Sequence, residues 1–476
     1  MPNQDPSAPA PIPPLHGQKI LRGSERVSLS PIHEGVFGRM FRRLSPMPEL
    51  PLDVLKALAE QMVGEDPAPG GWGTNPTPTD QDNPDLPAGY TYFGQFLDHD
   101  ITFDPVTSAQ RVNDRDALRN FRSPALDLDS VYGSGPIDEP FQYVPDTHGM
   151  QMLVETNSRG VEDLPRNSHQ TALLGDPRND ENTIIGQLHL AFLRLHNKIA
   201  AEVMQDPSVP ADAKFEEAQL RVRWHYQWAV VHDFVPRIIG PDLFEKLVER
   251  GGPEGRIDNF IRRHYEPRNN PYMPIEFSGA AYRFGHSMIR GVYDLNGDAT
   301  GVPLFTPGPL QNELQDLRGR RELPAPWTVD WSLFFAAGAA QPSRLINTKL
   351  VRALAQIPGG DSLALLNLVK GQLLKLPSGQ DVARAMSEEV LRSDELEGAP
   401  DPTPLWFYIL KEAEKRADGR HLGAVGGRIV GEVLLGLIEL DKQSWLNARP
   451  TWDPTVPDAD GDGIVGIHDL LTFARA

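Results

Sequence analysis

Cysteine is absent from all 476 residues. That excludes disulfides, thiolate-ligated metal centres, cysteine-type zinc sites and a cysteine nucleophile. Basic charge is in deficit: 46 Lys and Arg against 65 Asp and Glu leave a formal net charge of −19. A chain this acidic is poorly suited to a phosphate backbone, so no nucleic-acid partner is expected. The acidity fits cation sites or plain solubility. No apolar run approaches the roughly 18 residues of a membrane span, so no transmembrane segment is expected. The opening MPNQDPSAPAPIPPLHG has no charged stretch followed by an apolar core, so a usual signal peptide is not expected either. Secretion by another route and a cytoplasmic location both remain open.

Hydrophobic residues make up 39% of the chain, enough for sizeable cores. At ~150 residues per domain the length allows about three domains, or a single large helical enzyme. Glycine (42) and proline (45) stay below the share that marks low complexity, but this many prolines implies long irregular connections. Six prolines in the first fourteen residues make residues 1–30 read as an extended N-terminal arm. VFGRMF and PLDVLKALAEQMV read as two short helical pieces. Residues 64–89 are too rich in Pro, Gly and Asp for regular structure, and a loop this long is functional or draped over a core.

YTYFGQFLDHDITFD reads as a short helix. Residues 182–204 carry apolar residues at 3–4 spacing and form the clearest long amphipathic helix. Residues 216–239 form a second and 277–294 a third, with more at 361–376, 402–415 and 421–440. Alternating strand patterns are rare, so the fold class is mainly α.

Four segments hold candidate chemistry. In GQFLDHDITFD, Gln95 and His99 are i,i+4 and can face one cavity, while Asp98, His99 and Asp100 point about 100° apart. A solvated polar turn with a surface histidine would look the same. In LLGDPRNDENTI, Arg178 precedes a helix N-terminus where Asp180 and Glu181 also suit the helix dipole. In FSGAAYRFGHSMIRGVY, small residues surround His286, with Arg283 one turn before it; a lone helical histidine is more often a satisfied core residue. In LLNLVKGQLLKLPSGQDVAR, Asn367 sits in an apolar stretch and must find hydrogen-bond partners, with Lys370 one turn on. His189 with His196, and His225 with His232, are seven apart and read as structural, lacking the spacing of a zinc protease.

Together these segments resemble the animal-type haem peroxidase superfamily, which includes myeloperoxidase-type enzymes, peroxinectins and bacterial relatives. AGYTYFGQFLDHDITFD, LDLDSVYGSG, LLGDPRNDENTI, LHNKIA, YQWAVVHDFVPRII, AYRFGHSMIRG and LNLVKGQLLKLPSGQDVAR follow one another as in that family. The resemblance implies a mainly α haem peroxidase fold of the myeloperoxidase type, with haem between a distal and a proximal helix and long irregular loops. It makes His99 the distal histidine, Gln95 the distal glutamine and Arg178 the distal arginine. His286 becomes the proximal iron ligand, and Asn367 the acceptor of its Nδ1–H. Arg283 and Lys370 fall where the family places basic partners of the haem propionates. Asp98 and Glu181 match the carboxylates that ester-link a b-type haem. Asn182 stands where myeloperoxidase has a methionine, so its sulfonium link is excluded.

The implied activity is hydrogen-peroxide-dependent oxidation of small reducing donors (halide, thiocyanate or phenols) through a ferryl state. His99 would take and return the peroxide proton, and Arg178 would stabilise charge as the O–O bond breaks. Two alternatives share the fold: a fatty-acid dioxygenase, and a calcium-dependent adhesion protein of peroxinectin type. The dioxygenase reading needs a tyrosine three residues before the proximal histidine. Arg283 occupies that position, and Tyr282, one residue earlier on a continuous helix, would be turned about 100° away.

The resemblance also implies a Ca²⁺ site formed by Asp100, Ser123, the carbonyl of Ala125, Asp127 and Asp129, hard oxygen donors that suit calcium. It covers a catalytic domain placed at residues 31–450. The tail, residues 451–476, lies outside it. There Asp458, Asp460, Asp462, Gly463, Ile464 and Asp469 fit a twelve-residue calcium loop of EF-hand or dockerin type, followed by a short helix at LLTFA. A second, structural Ca²⁺ that pins this helix onto the catalytic domain is expected.

Overall fold

The computed structural model describes residues 37–64, 80–102, 122–147, 149–252, 255–268, 270–306, 308–358, 360 and 362–476. The N-terminal arm at 1–30 lies outside them. Helices dominate, and the strands of the described residues pair only in twos.

Eight helices make the frame: α1 (Leu52–Gln61), α2 (Gly89–Ile101), α3 (Thr183–Gln205), α4 (Lys214–Ala229), α5 (Leu363–Leu373), α6 (Leu405–Ala417), α7 (Ala424–Leu440) and α8 (Ile467–Arg475). The long α3 begins where expected. Asn182 caps it, its side chain accepting from the Ile185 amide at 2.9 Å. α2 packs against α3, and α3 against α4 and α8. α4 runs into a π-helical turn at Val230–Phe234 and then a short helix, Val235–Ile239. Pro236 near the start of that last piece has no N–H for a regular ladder, and the wider turn absorbs the break. α7 lies against Val235–Ile239 and the helix Pro241–Leu247 that follows it, and Gly427 allows the approach: a Cβ there would stand 3.4 Å from Ile239 and 2.6 Å from Leu243.

Three expectations are corrected. Residues 82–87 are regular: β2 (Asp82–Pro87) pairs antiparallel with β4 (Pro342–Arg344), and α2 starts straight after it. Residues 65–79 of that loop lie outside the described residues. VFGRMF is not helical; β1 (Phe37–Gly38) pairs in parallel with β3 (Met273–Pro274). The helix expected at 277–294 is broken into Ile275–Gly279, a 3₁₀ turn at Ala281–Phe284 and a single turn at Gly285–Met288, before a strand pair at Val292–Tyr293. Gly279 and Gly285 weaken a continuous helix, and tertiary contacts decide.

Irregular backbone is held by buried carboxylates. Glu432 accepts from the amides of Arg263, His264 and Tyr265, and Glu276 from those of Met40 and Phe41. Each such bond satisfies a buried donor that no helix or sheet serves. The tail is part of the same body. Lys198 of α3 donates to the Phe473 carbonyl of α8, and Asp233 of the π turn accepts from the Ile467 amide. No helix among the described residues is long and apolar enough to cross a membrane.

Candidate active site

α2 carries Gln95, Asp98, His99 and Asp100. The 3₁₀ turn Pro177–Asp180 carries Arg178, and Glu181 closes it ahead of α3. Packing of α2 on this turn brings the two segments together. The Gln95 amide donates to Glu181, whose Oε1 lies 3.9 Å from His99 Nε2. Arg178 stands with its NH1 4.0 Å from Asp98 and its NH2 3.1 Å from the His99 carbonyl, which accepts from it, as does that of Thr102. Burial holds the His99 imidazole below its ordinary range, with the Arg178 charge acting the same way and Glu181, Asp176 and Asp98 opposing.

Arg178 is aimed by Asp176, a fully buried carboxylate absent from the expected set. Asp176 accepts from the backbone amide, Nε and NH2 of Arg178 and from Arg122. Burial alone would raise its carboxyl, but these two arginines hold it well below the usual carboxylate range.

The other half of the site comes from the broken helix and α5. Asn367, buried on α5, stands 2.8 Å from His286 Nδ1 and accepts 2.6 Å from Arg283 NH1. The amide polarity reverses the expectation. A guanidinium can only donate, so Arg283 claims Oδ1 and Nδ2 faces the imidazole. Burial, then the Arg283 charge, pushes the His286 imidazole down to about 3, so it is neutral. Its Nδ1 is engaged, which leaves Nε2 as the atom that can meet a metal. Among the described residues a Cβ at Gly285 would meet nothing within 4 Å, so the backbone beside His286 leaves room for a flat group. Lys370, half-buried, follows Asn367 by one turn of α5. α2 packs against the Gly285–Met288 turn that carries His286, so the two halves face each other.

Tyr282 sits on a 3₁₀ turn in place of the expected continuous helix, and at about 120° per residue it is still turned away from the direction of Arg283. Its ring stacks on Phe277, and its buried hydroxyl has no hydrogen-bond partner among the described residues. That hydroxyl lies 3.8 Å from where a Cβ of Gly94 on α2 would sit.

The predicted calcium residues behind α2 gather. Asp100 is fully buried and accepts from the Leu128 and Ser130 amides and the Tyr226 hydroxyl. Ser123 donates to Asp127 and lies 3.2 Å from Asp129. Burial and the Asp129 charge push the Asp100 carboxyl up to about 6. Ala125 sits in the loop between them. In the tail, Asp458, Asp460 and Asp462 have carboxylate oxygens within 4.8 Å of one another. Asp458 accepts from Gly461 and Gly463, and Asp462 from Ile464. Asp469 is buried, and both its oxygens accept backbone amides, from Ala459 and Gly466.

Sequence reasoning missed Asp176, Asn179 and His189. Asp176 and Asn179 flank Arg178 closely, but only the turn shows which way they point. His189 reads as structural from its seven-residue spacing to His196, and its contact with Asn179, ten residues away, shows only in the fold.

Residues 108–315 match the family model described as animal haem peroxidase. Thyroid peroxidase of Rattus norvegicus is 26% identical over 317 residues, 58% of this chain and 31% of that protein. Chorion peroxidase of Drosophila melanogaster is 24% identical over 285 residues, covering 54% of this chain and 32% of that protein. These matches thus span about a third of the relatives' length. Among solved structures, peroxidase A from Dictyostelium discoideum aligns with a TM-score of 0.60 at 14% identity, over 89% of this chain and 92% of that one. A fatty acid alpha-dioxygenase from Arabidopsis thaliana aligns at 0.56 and 14%, over 88% and 75%. The fold is shared with both.

Proposed function

The chain belongs to the animal-type haem peroxidase superfamily, and from that premise we propose that it uses hydrogen peroxide to oxidise small donors: halide, thiocyanate or phenols. The observation that supports this most is the pair of facing halves: His99 with Arg178 on one side, His286 with Asn367 on the other. The donor set fits haem. His286 would hold the iron by Nε2, Arg283 and Lys370 would meet the propionates, and Asp98 and Glu181 are the candidates for ester links. Bound there, haem supplies the redox-active iron at which peroxide is reduced.

The chain's own groups do the rest. His99 Nε2 takes a proton from peroxide and returns it to the leaving oxygen. Arg178, held by Asp176 and two carbonyls, keeps its charge where negative charge develops, worth about 3–4 kcal/mol in comparable sites. Gln95 and Glu181 bound the same space. Arg283 holds the Asn367 Oδ1 through NH1; were a propionate to draw that N–H away, the amide would be free to turn and accept the His286 Nδ1–H. Calcium at Asp100, Ser123, the Ala125 carbonyl, Asp127 and Asp129 would stiffen α2, which aims His99. A second calcium at Asp458, Asp460, Asp462, the Ile464 carbonyl and Asp469 would fix the tail.

A second reading, fatty-acid oxygenation, is favoured by one observation: the buried, unpartnered Tyr282 hydroxyl that reaches α2. One experiment separates the two. Haem-loaded protein is titrated with peroxide in the presence of iodide, bromide and guaiacol, and separately given linoleate while oxygen is followed. Donor oxidation without oxygen uptake supports the peroxidase; oxygen uptake with no donor oxidation overturns it. His286→Ala should lose the haem absorption band or leave it restorable by imidazole, and a normal spectrum would reject the ligand. After peroxide treatment, acid–organic solvent should leave haem on the wild-type chain and extract it from an Asp98→Val, Glu181→Ala protein.

A further inference from the structure

A chain of side chains runs from His99 through Asn179 to His189. His99 Nδ1 lies 2.8 Å from Asn179 Oδ1, and Asn179 Nδ2 lies 2.9 Å from His189 Nδ1. His189 and Asn179 are fully buried and His99 nearly so. The far nitrogen of His189, Nε2, has no hydrogen-bond partner among the described residues. The Phe96 ring stands edge-on to His189, its centroid 6.4 Å away.

A primary amide has one accepting end and one donating end, so its orientation ties together the protons of the two imidazoles it bridges. With Oδ1 towards His99, the amide accepts Nδ1–H. The lone pair of His99 is then on Nε2, the nitrogen on the Glu181 side. Nδ2 donates to His189 Nδ1, which must be bare, and the His189 proton sits on Nε2. Turned over, the amide would donate to His99, move that proton to Nε2 and leave nothing there to accept one.

We propose that Asn179 and His189 are positioning residues that keep the proton of His99 on Nδ1, so that Nε2 remains the proton acceptor. His189 does this by offering a lone pair to Nδ2, which fixes the amide. A charged His189 would offer N–H instead and favour the turned amide; burial pushes its imidazole down to about 3, so it stays neutral. The unpartnered Nε2–H supports the assignment. A histidine that merely filled space would be better replaced by an apolar residue, so the exposed cost points to work done by Nδ1. Phe96 and Phe192 stack close by and hold the surrounding helices α2 and α3 in register.

The inference rests on the peroxidase reading, and its test separates the two. In ¹⁵N-histidine-labelled holoprotein, held diamagnetic as the ferrous carbon monoxide complex, nitrogen shifts report which ring atom of His99 is protonated. Wild type should show Nδ1–H. His189→Phe and Asn179→Leu should show a mixture or Nε2–H, and His189→Gln, which can still accept from the amide, should restore wild-type behaviour. The rate of reaction with peroxide should fall in the first two variants in step with the share of His99 that has moved to Nε2–H, reaching about 10²-fold or more where the shift is complete, the range for loss of a general base, with haem content unchanged. A wild type inert to peroxide would sink the function and leave the tautomer result standing. A wild type that reacts, beside variants with the same tautomer and the same rate, would overturn the roles of Asn179 and His189. If His189→Phe fails to fold, Asn179→Asp gives the second test: a carboxylate accepts from both rings, so His99 should keep Nδ1–H and His189 should move its proton to Nδ1. A His189 proton still on Nε2 would overturn the coupling.

Discussion

Single buried groups decide how the candidate site points. On each side of it an asparagine mediates between a histidine and a second group: Asn179 between His99 and His189, Asn367 between His286 and Arg283. A neutral amide suits this because it fixes proton positions without adding charge to a buried site. Asp176 works the other way, through charge. It is fully buried and shared by Arg122 and Arg178, so both arginines lose a partner if its charge is removed. Asp176→Asn keeps the shape and removes the charge. Loss of a buried ionic partner costs about 3–5 kcal/mol, so the melting temperature should drop clearly in thermal unfolding. The reaction with peroxide should also slow, since Arg178 is no longer held in place. Unchanged stability and rate would show that the His99 and Thr102 carbonyls suffice to aim Arg178.

Helices with strong 3–4 periodicity were legible from the chain alone, and elements set by long-range contact were not. α3 and α7 start within a few residues of their expected limits, and the Asn182 cap explains the sharp start of α3. β2 was hidden, because DNPDLP has the composition of a loop and becomes a strand only by pairing with β4, far along the chain. The break around Tyr282 was hidden for a related reason: residues 281–288 look periodic, but Trp406 of α6 donates to the Arg283 carbonyl in place of a helical partner. Of the site, His99, Gln95, Arg178, Glu181 and the His286–Asn367 contact could be placed by motif. Asp176, Asn179 and His189 depend on how a short turn meets α3, which no local pattern encodes. The tail loop was legible as a motif, and it carries a prediction of its own. Asp458, Asp460 and Asp462 converge, although Asp469 already spends both oxygens on backbone amides. With both proposed sites filled, elemental analysis should find about two calcium ions per chain. An Asp458→Ala, Asp460→Ala protein should hold about one fewer. The same count in both proteins would mean that Asp469 serves only as a helix cap.

Across the whole molecule, the last residues are bound to the catalytic frame through a titratable group. His225 on α4 is buried, and its Nε2 accepts from the amides of Thr455 and Val456 at 3.0 and 3.2 Å. Its Nδ1 lies 2.7 Å from the Arg221 carbonyl and donates to it, and Trp452 packs edge-on against the ring. Only a neutral imidazole can accept at Nε2, so the contact requires the unprotonated form. Burial, partly offset by the Arg221 carbonyl, pushes the imidazole down to about 4. The folded value is thus below the ordinary one near 6.5. Above about pH 6.5 neither the docked nor the released tail binds a proton here, and docking is at full strength. As pH falls from there towards 4, the released form takes up a proton that the docked form refuses, and docking weakens by about 1.4 kcal/mol per pH unit. Below about 4 the docked ring is protonated as well and the Thr455 and Val456 contacts are lost. Hydrogen exchange at those two amides, corrected for its intrinsic pH dependence, should therefore lose protection steadily between pH 6.5 and 4, by about tenfold per unit. His225→Gln cannot titrate, and its side-chain oxygen can still accept from the tail, so its protection should stay flat across that range. A wild type as flat as His225→Gln would show that Lys198 and Asp233 hold the tail without help from the histidine.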